Sequence, residues 1–539
     1  MLDKNGNSSL IHVDESAANI GKVGITFAFI FILVGALVIY VTLGRIIGEQ
    51  RTLVGAQKAL GFFSREVLMK YLLFGTTATL IGMLAGTAIG YTLIQHIILR
   101  VYKNFYVVDS IPHTFRPVLF AVVIGCGVLL SAAAVIWACH HLLRETAREL
   151  MQYELPKGKK KASEKSHGKK SSLYSRLIFR NIATDWRRVL ITTISIAGCC
   201  ILLVIGFHMR FSINKTLDIQ FEEKMIYEQE IHFDSHVSAD AEKEIKSALT
   251  KQGISAAALS TGNYGYGADG DMLLTKIYCG EPESIRAGYR LEPANPKETL
   301  SFGDHGVLIS EKIAKMHGFQ LGQKITLYDS DLTPHQVEIT GIYDNYLGNY
   351  FFMSREAFRN VFEREEVNNI LWISSNLDKG ALGKILDGIK GYSGISVKAD
   401  VKRTFTSMTK VLTIITLVLI VAAGLMAYFV LLNLVNMYLN RKKRELVVMR
   451  INGFTTKEVL RYVSMESVVT TVAGIILGLA IGTVLGNLIM STLEQGALMF
   501  FHGISLKSWL YSAVITAVFS LVINMIALRK VKHLKLNDM

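Results

Sequence analysis

The chain has 539 residues, half of them hydrophobic and only 19% charged, a balance that excludes an ordinary soluble enzyme. Its formal charge of +14 comes without a folded basic surface of interleaved aromatics or a groove-reading helix, so nucleic acid is excluded as a partner. Five cysteines without C-x-x-C spacing predict neither a disulfide framework nor a metal site. Cys126, Cys139, Cys199 and Cys200 fall in or at the end of apolar runs, Cys279 stands apart, and all five read as small packing residues.

Residues 1–22 are polar, lack the pattern of a signal peptide and read as an exterior tail. Seven apolar runs follow, at roughly 23–43, 67–97, 117–139, 189–209, 410–438, 459–490 and 508–528, each long enough to cross a hydrocarbon core of about 30 Å. Segments 44–66, 140–188, 439–458 and 529–539 carry 27 Lys or Arg in 103 residues, whereas 1–22, 98–116 and 491–507 carry 6 in 58. The positive-inside rule then predicts an exterior N-terminus, a cytoplasmic C-terminus and an exterior segment 210–409.

One stretch occurs twice. Setting Gly61-Phe62 on Gly453-Phe454 also superposes Lys58 on Arg450, Arg65 on Lys457, and Glu66-Val67-Leu68 on Glu458-Val459-Leu460. At the same offset Gly82, Gly86 and Gly90 fall on Gly474, Gly478 and Gly482. The match predicts a duplicated membrane unit. Both copies place a short basic link, 44–66 and 439–458, between a descending and an ascending helix. In the second, Leu446, Met449 and Gly453 lie at helical spacing beside Arg444, Glu445 and Arg450, which predicts a short amphipathic helix at the membrane face. Gly453 should stop it, and Thr455 or Thr456 should cap the next helix. A solvated loop held by anionic membrane lipid is the plainer reading; the duplication favours one partner engaging both copies. The four-residue glycine spacing predicts close helix packing. Glu466, an ionisable group within a membrane helix, is a candidate functional residue, although at its depth it could snorkel.

Between the units, Lys157 to Lys170 carries seven lysines and predicts a linker drawn to the inner leaflet. Residues 173–188 should lie on the inner surface as a helix, with Trp186 at interfacial depth, before the chain turns into the membrane. In 210–409, the pairs Val307/Ile309, Ile325/Leu327 and Val337/Ile339 predict half-buried strands. Ser310 should cap a helix that runs through Met316 and ends at Gly318. Gly262 to Asp271 reads as a flexible loop, and its Asp269 and Asp271 are too few for a cation site.

These residues resemble the FtsX-like permeases of ABC transporters, the class of macrolide exporters and lipoprotein-releasing permeases. The resemblance rests on Arg444-Glu445-Leu446 to Arg450 and Gly453 before a glycine-rich helix, on Arg180-Asn181 and Arg187-Arg188 before Ser195-Ile196-Ala197-Gly198, and on GVLISEKIAKMHGFQLGQKITL followed by VEITGIYDN. It implies a polytopic α-helical membrane protein of about seven spans in two parallel repeats, with one extracytoplasmic mixed α/β domain. Organised this way, the chain divides into a tail (1–22), a first three-helix permease unit (23–139), a cytoplasmic linker (140–172), an elbow helix and span (173–209), the α/β domain (210–409) and a second three-helix unit (410–539). The family unit has a leading helix and outer domain, so the first unit here would hold only its last three helices. The resemblance further implies that Arg444, Glu445, Leu446, Arg450 and Gly453 couple to a separate ABC ATPase, with Arg51, Lys58 and Gly61 as the weaker first copy. It also suggests a second permease copy as a partner.

No G-x-x-x-x-G-K-[ST], H-E-x-x-H or G-x-S-x-G occurs, so neither enzymatic activity nor a cofactor is expected. The leading expectation is a permease subunit that exports or extracts amphipathic or lipid-linked molecules, antimicrobial peptides included. A non-transporting transmitter that activates an exterior cell-wall hydrolase or sensor is the alternative. A secondary transporter is disfavoured, because its repeats would be inverted and these share one orientation.

Overall fold

The computed structural model describes residues 8–96, 117–151, 186–234, 239–268, 271–365, 367–375, 377–386, 389, 391–494 and 498–532. The lysine tract and residues 173–185 of the expected surface helix lie outside these. Two compact units emerge: one formed by the chain up to Met209 with Ile414–Ile489 and Ile504 onward, the other by Arg210–Thr413 with Met490–Gly503.

The first unit is helical. Its helices are α1 (Ser8–Glu49), α2 (Arg51–Ala59), α3 (Ser64–Ile89, continued by a π turn Gly90–Ile94), α4 (Pro117–Leu143), α5 (Ala147–Met151), α6 (Trp186–Asp218), α12 (Lys398–Ile451), α13 (Thr456–Leu493) and α14 (Leu506–Lys532). Seven of them are long and apolar enough to cross a membrane. Large apolar side chains such as Phe29, Leu129 and Ile476 stand exposed, which lipid tolerates and water does not. The polar tail expected at 1–22 is helical from Ser8, because nothing between Ser8 and Lys22 interrupts the helix that the first apolar run continues.

The duplication expected from the sequence is visible in individual hydrogen bonds. Phe62 N–H donates to the Gln57 carbonyl at 3.1 Å, and Phe454 N–H, at the same repeat position, donates to the Met449 carbonyl at 3.1 Å. Thr79 on α3 hydrogen-bonds Ser131 on α4, and its repeat counterpart Thr471 on α13 hydrogen-bonds Ser520 on α14. Each ascending helix therefore turns the same face to the last helix of its own repeat. Asn433 on α12 donates to Thr42 on α1 at 2.6 Å.

The second unit is α/β. Its strands are β1 (Gln229–Phe233), β2 (Ala256–Ala268), β3 (Asp271–Gly280), β4 (Gly306–Ser310), β5 (Lys324–Tyr328), β6 (Pro334–Tyr343), β7 (Tyr350–Ser354), β8 (Ile370–Ile373) and β9 (Tyr392–Val397). Helices α7 (Ala239–Lys251), α8 (Pro282–Gly288), α9 (Glu311–His317), α10 (Arg355–Phe362) and α11 (Lys379–Leu386) lie between them. The strand order is β3-β7-β4-β6-β5-β2-β8-β1-β9, and β3 also pairs with β2. Six strands thus close a ring, and β2 leads out of it into the β8-β1-β9 sheet. Strand β2 serves both because its first four residues pair with β8 and the rest with β3 and β5.

The expected strands at 307–309, 325–327 and 337–339 form, and Ser310 caps α9, which ends at Gly318 with φ +68°. Strand β4 is buried on both faces, not half-buried: Val307 and Ile309 join the ring interior while Leu308 joins the opposite cluster with Tyr278, Phe352 and Trp372. Of the loop expected at 262–271, the described residues instead pair as antiparallel strands, 262–268 in β2 and Asp271 at the start of β3. Tyr264 and Tyr266 bring two large side chains inward, and the intervening Gly265 admits the Met272 and Tyr328 side chains, 2.9 and 3.1 Å from where a Cβ would stand. Replacing Phe352, fully buried among Tyr278, Tyr289 and Tyr343, with Ala should cost about 3–5 kcal/mol. The measurement is the thermal midpoint of the detergent-solubilised chain followed by tryptophan fluorescence; an unchanged midpoint would contradict this packing.

Candidate functional site

The first elbow is built by α2. Its Val54 and Gly55 are buried, and a Cβ at Gly55 would stand 2.8 Å from Met151 and 3.0 Å from Leu150, so α2 and α5 pack backbone to backbone. Arg51 Nη2 donates to Glu145 Oε2 at 2.6 Å and to the Glu149 carbonyl at 3.1 Å. Lys58 Nζ donates to the carbonyls of Leu143 and Glu145, at 2.6 and 2.8 Å. The Leu143 carbonyl ends α4, where helix carbonyls lack intrahelical partners and favour a cation, and the Glu145 carbonyl follows two residues later. Both basic residues expected to meet a separate ATPase are thus engaged within the chain.

At the tip, Gly61 adopts φ +96°, and the Phe62-to-Gln57 bond closes α2 in a Schellman turn. Leu53, Leu60, Phe62 and Phe63 are left exposed around it, between 48 and 79%. The second elbow repeats the turn: Gly453 has φ +88°, and Phe454 N–H reaches back to Met449. Thr455 then caps α13 in a reciprocal pair, its N–H donating to Glu458 Oε2 at 2.8 Å while Glu458 N–H donates to Thr455 Oγ1 at 3.4 Å. The expected separate amphipathic helix is instead the end of α12, which runs without a break to Ile451 because no residue before Gly453 stops it. The side chains of Arg444, Glu445, Leu446, Arg450 and Glu466 lie outside the described residues.

The two glycine stripes sit differently. A Cβ at Gly474, Gly478, Gly482 or Gly486 on α13 would stand 2.7, 2.5, 2.8 or 2.8 Å from Ile196, Cys200, Val204 or His208 on α6. At Gly82, Gly86 and Gly90 on α3 it would meet no described atom within 4 Å. Gly486 and the His208–Asn487 hydrogen bond of 2.8 Å extend the α13 stripe by one position that sequence reasoning missed. The same four-residue spacing would have found the glycine.

Within the α/β unit, the end of α6 enters a buried polar junction. The helix passes into a π turn, Ile219–Lys224, whose Gln220 accepts from the N–H groups of Tyr346 and Leu347 and donates to Tyr289 Oη at 2.7 Å. Lys224 is 2% exposed and donates to Glu292 at 2.7 Å and Asp344 at 2.5 Å. Residues 498–501 of the second repeat join the same junction: Met499 N–H donates to the Tyr346 carbonyl, and Phe501 N–H to Thr216 Oγ1, both at 2.9 Å. Lys402 and Lys398, at the start of α12, pair with Glu222 and Glu228 at 2.6 Å. Sequence periodicity shows none of this, because the partners lie far apart along the chain.

Electrostatics follow the geometry. Burial holds the Asp344 carboxyl above its ordinary range, an effect the Lys224 ammonium partly offsets. The hydrogen bond from Lys224 holds Glu292 below its ordinary range. Elsewhere in this unit a cleft of about 280 Å³ is lined by Tyr227, Glu283, Ser284 and Trp372, among others. Its aromatic wall is a stacked Tyr227–Trp372 pair with centroids 4.8 Å apart. Among the described residues searched, no group of three or more His, Cys, Asp or Glu is placed to hold a metal ion.

Lys224→Met should destabilise the chain by about 3 kcal/mol, the low end for a broken buried pair because both carboxylates reach solvent. The deficit depends on pH. Without its ammonium partner, Asp344 keeps a folded-state pKa above the unfolded one; that term favours the folded state at low pH and is lost as pH rises through the raised value. The loss of melting midpoint relative to wild type should therefore be larger at pH 7 than at pH 4.5. A deficit that grows on acidification would contradict the assignment.

Comparison with known proteins gives the family. Residues 25–147 and 413–536 match the model described as FtsX-like permease C-terminal. No curated protein matches. Among solved structures, the chain is similar to the periplasmic region of MacB from Actinobacillus actinomycetemcomitans (TM-score 0.23, 15% identity, covering 34% of this chain and 94% of that one). It is also similar to the extracellular domain of the ABC-type transporter YknZ from Gram-positive bacteria (TM-score 0.22, 12% identity, 32% and 98%). Both helical repeats match this one model, and over residues 25–147 and 413–536 the chain is an FtsX-like permease.

Proposed function

We propose that this chain is the membrane-spanning permease subunit of an ABC-type machine and carries no catalysis of its own. A separate cytosolic ATPase grips both elbows, and the motion passes along α6 and α12 to the α/β domain on the far side of the membrane, where amphipathic or lipid-linked molecules are exported or extracted. The observation that carries this reading is the duplicated turn: two copies of one glycine-terminated corner, hydrogen-bonded alike, offer one kind of partner two equivalent grips. At the second elbow Arg444, Glu445, Leu446 and Arg450 supply the grip, with Gly453 setting the corner. At the first, Arg51, Lys58 and Gly61 hold the corner's shape from within, and exposed Leu53, Leu60, Phe62 and Phe63 form the docking face. Lys402–Glu222 ties the start of α12 to the turn that ends α6, and Lys398–Glu228 ties it to the residue before β1, so that movement of either helix loads the junction around Lys224.

If Glu445 and Arg450 are interface hot spots worth about 2 kcal/mol together, replacing both with Ala should weaken ATPase co-purification roughly thirtyfold while the permease keeps its melting midpoint. Undiminished co-purification would remove the coupling assignment. Orientation has its own check. A cysteine placed at Phe62 or Phe454 should react with a membrane-impermeant thiol reagent only in permeabilised cells, and labelling of intact cells would put the elbows on the exterior.

A further inference from the structure

The segment joining α13 to α14 is part of the α/β unit, which takes in Met490–Gly503. Glu494 organises it. Its side chain is 10% exposed; Oε2 accepts from Lys312 Nζ on α9 at 3.0 Å, and Oε1 accepts from Phe500 N–H at 2.9 Å, with His502 Nδ1 3.5 Å away. One carboxylate thus folds the segment on itself and ties it to α9. Further along, Leu498 forms a bridge with Leu347, Met499 N–H donates to the Tyr346 carbonyl, and Phe500 is 1% exposed. Phe501 closes on α6: its N–H donates to Thr216 Oγ1 at 2.9 Å and its carbonyl accepts from Ser212 Oγ at 2.5 Å. Ser212 and Thr216 are the first two places of a polar line along α6 and its π turn, and four residues on the third is Gln220. Gln220 in turn holds the N–H groups of Tyr346 and Leu347, the same residues that the segment engages. The segment, the polar line and the turn before β7 therefore close one network of hydrogen bonds, in which the loss of one contact loosens the rest.

We propose that residues 494–503 are a strap through which α13 and α14, continuous with its two ends, hold the α/β unit, with the Glu494–Lys312 pair as the clasp. A segment that merely joined two helices would leave its backbone to water. This one spends its carbonyls and N–H groups on α6 and on the turn before β7, and it shields its ion pair, so that opening the clasp leaves a charge with little solvent and no partner. Strap and turn consequently open and close as one cooperative unit. The second repeat thereby gains a route to the α/β unit besides α6 and α12. What drives the strap rests on the proposed permease function, but its unity with the turn does not, and is measured without an ATPase.

The test follows amide hydrogen exchange by mass spectrometry on the whole chain in lipid nanodiscs. Glu494→Gln removes the charge while its side-chain carbonyl can still accept from Phe500 N–H, and Lys312→Met opens the clasp from the other side. In each variant, exchange over 498–503 and over 344–348 should rise by the same factor, at least about tenfold for the loss of a shielded pair. Helix α7, on which none of these contacts bears, serves as the control and should keep its wild-type rate. A rise confined to 498–503 would make the clasp a local brace and overturn the proposal. An equal rise in α7, which would mean general loosening, or no rise in either variant would overturn it as well.

Discussion

Close approach between α6 and α13 is the constraint on which the membrane unit depends. Water cannot drive helices together within a bilayer, so association rests on van der Waals contact between backbones brought close. Glycines spaced four apart on α13 remove the side chains that would hold α6 off, and α6 fills the groove with Ile196, Cys200, Val204 and His208. Packed as well against Val34 of α1 and Ala423 and Ala427 of α12, the α6 span is 72% buried, whereas the other six lie between 6 and 33%. Where the same glycines recur on α3 with no described helix against them, that span is the least buried of the seven.

The corners between descending and ascending helices are fixed differently. Gly61 and Gly453 take left-handed conformations that a side chain would strain, and each lets the following N–H satisfy a carbonyl of the helix just ended. In the first repeat the corner is further held by Arg51 and Lys58 against the end of α4, an arrangement that leaves the apolar tip outward. Charge here secures a shape, and the exposed surface that results is apolar.

In the α/β unit, the end of α6 meets the sheet through polar groups with little access to water, while the ion pairs at the start of α12 reach solvent. Gln220, Tyr289 and Asn345 satisfy one another, and Lys224 holds two carboxylates. Buried polar groups of this kind are costly unless every partner is in place, so the junction is geometrically demanding. A helix end held in this way transmits displacement better than one resting on apolar contacts that can slide.

How much of this was legible in the sequence follows from the range of each interaction. The seven spans, the duplication, the glycine corners and the cap at Ser310 are written in residues no more than a few turns apart, where spacing alone states the physics. The strand at 262–268 was misread because its glycines resemble a loop, and only Met272 and Tyr328 crossing over Gly265 make them strand positions. Arg51 and Lys58 carried a charge pattern but not its destination, since Glu145 and the carbonyls at and just after the end of α4 come from a distant part of the chain. By itself the sequence determined which segments cross the membrane, that they repeat, and where the chain must turn. Which stripe is filled, which cations are engaged internally and how Lys224 is paired were decided by tertiary structure, because those contacts join residues that local periodicity cannot relate.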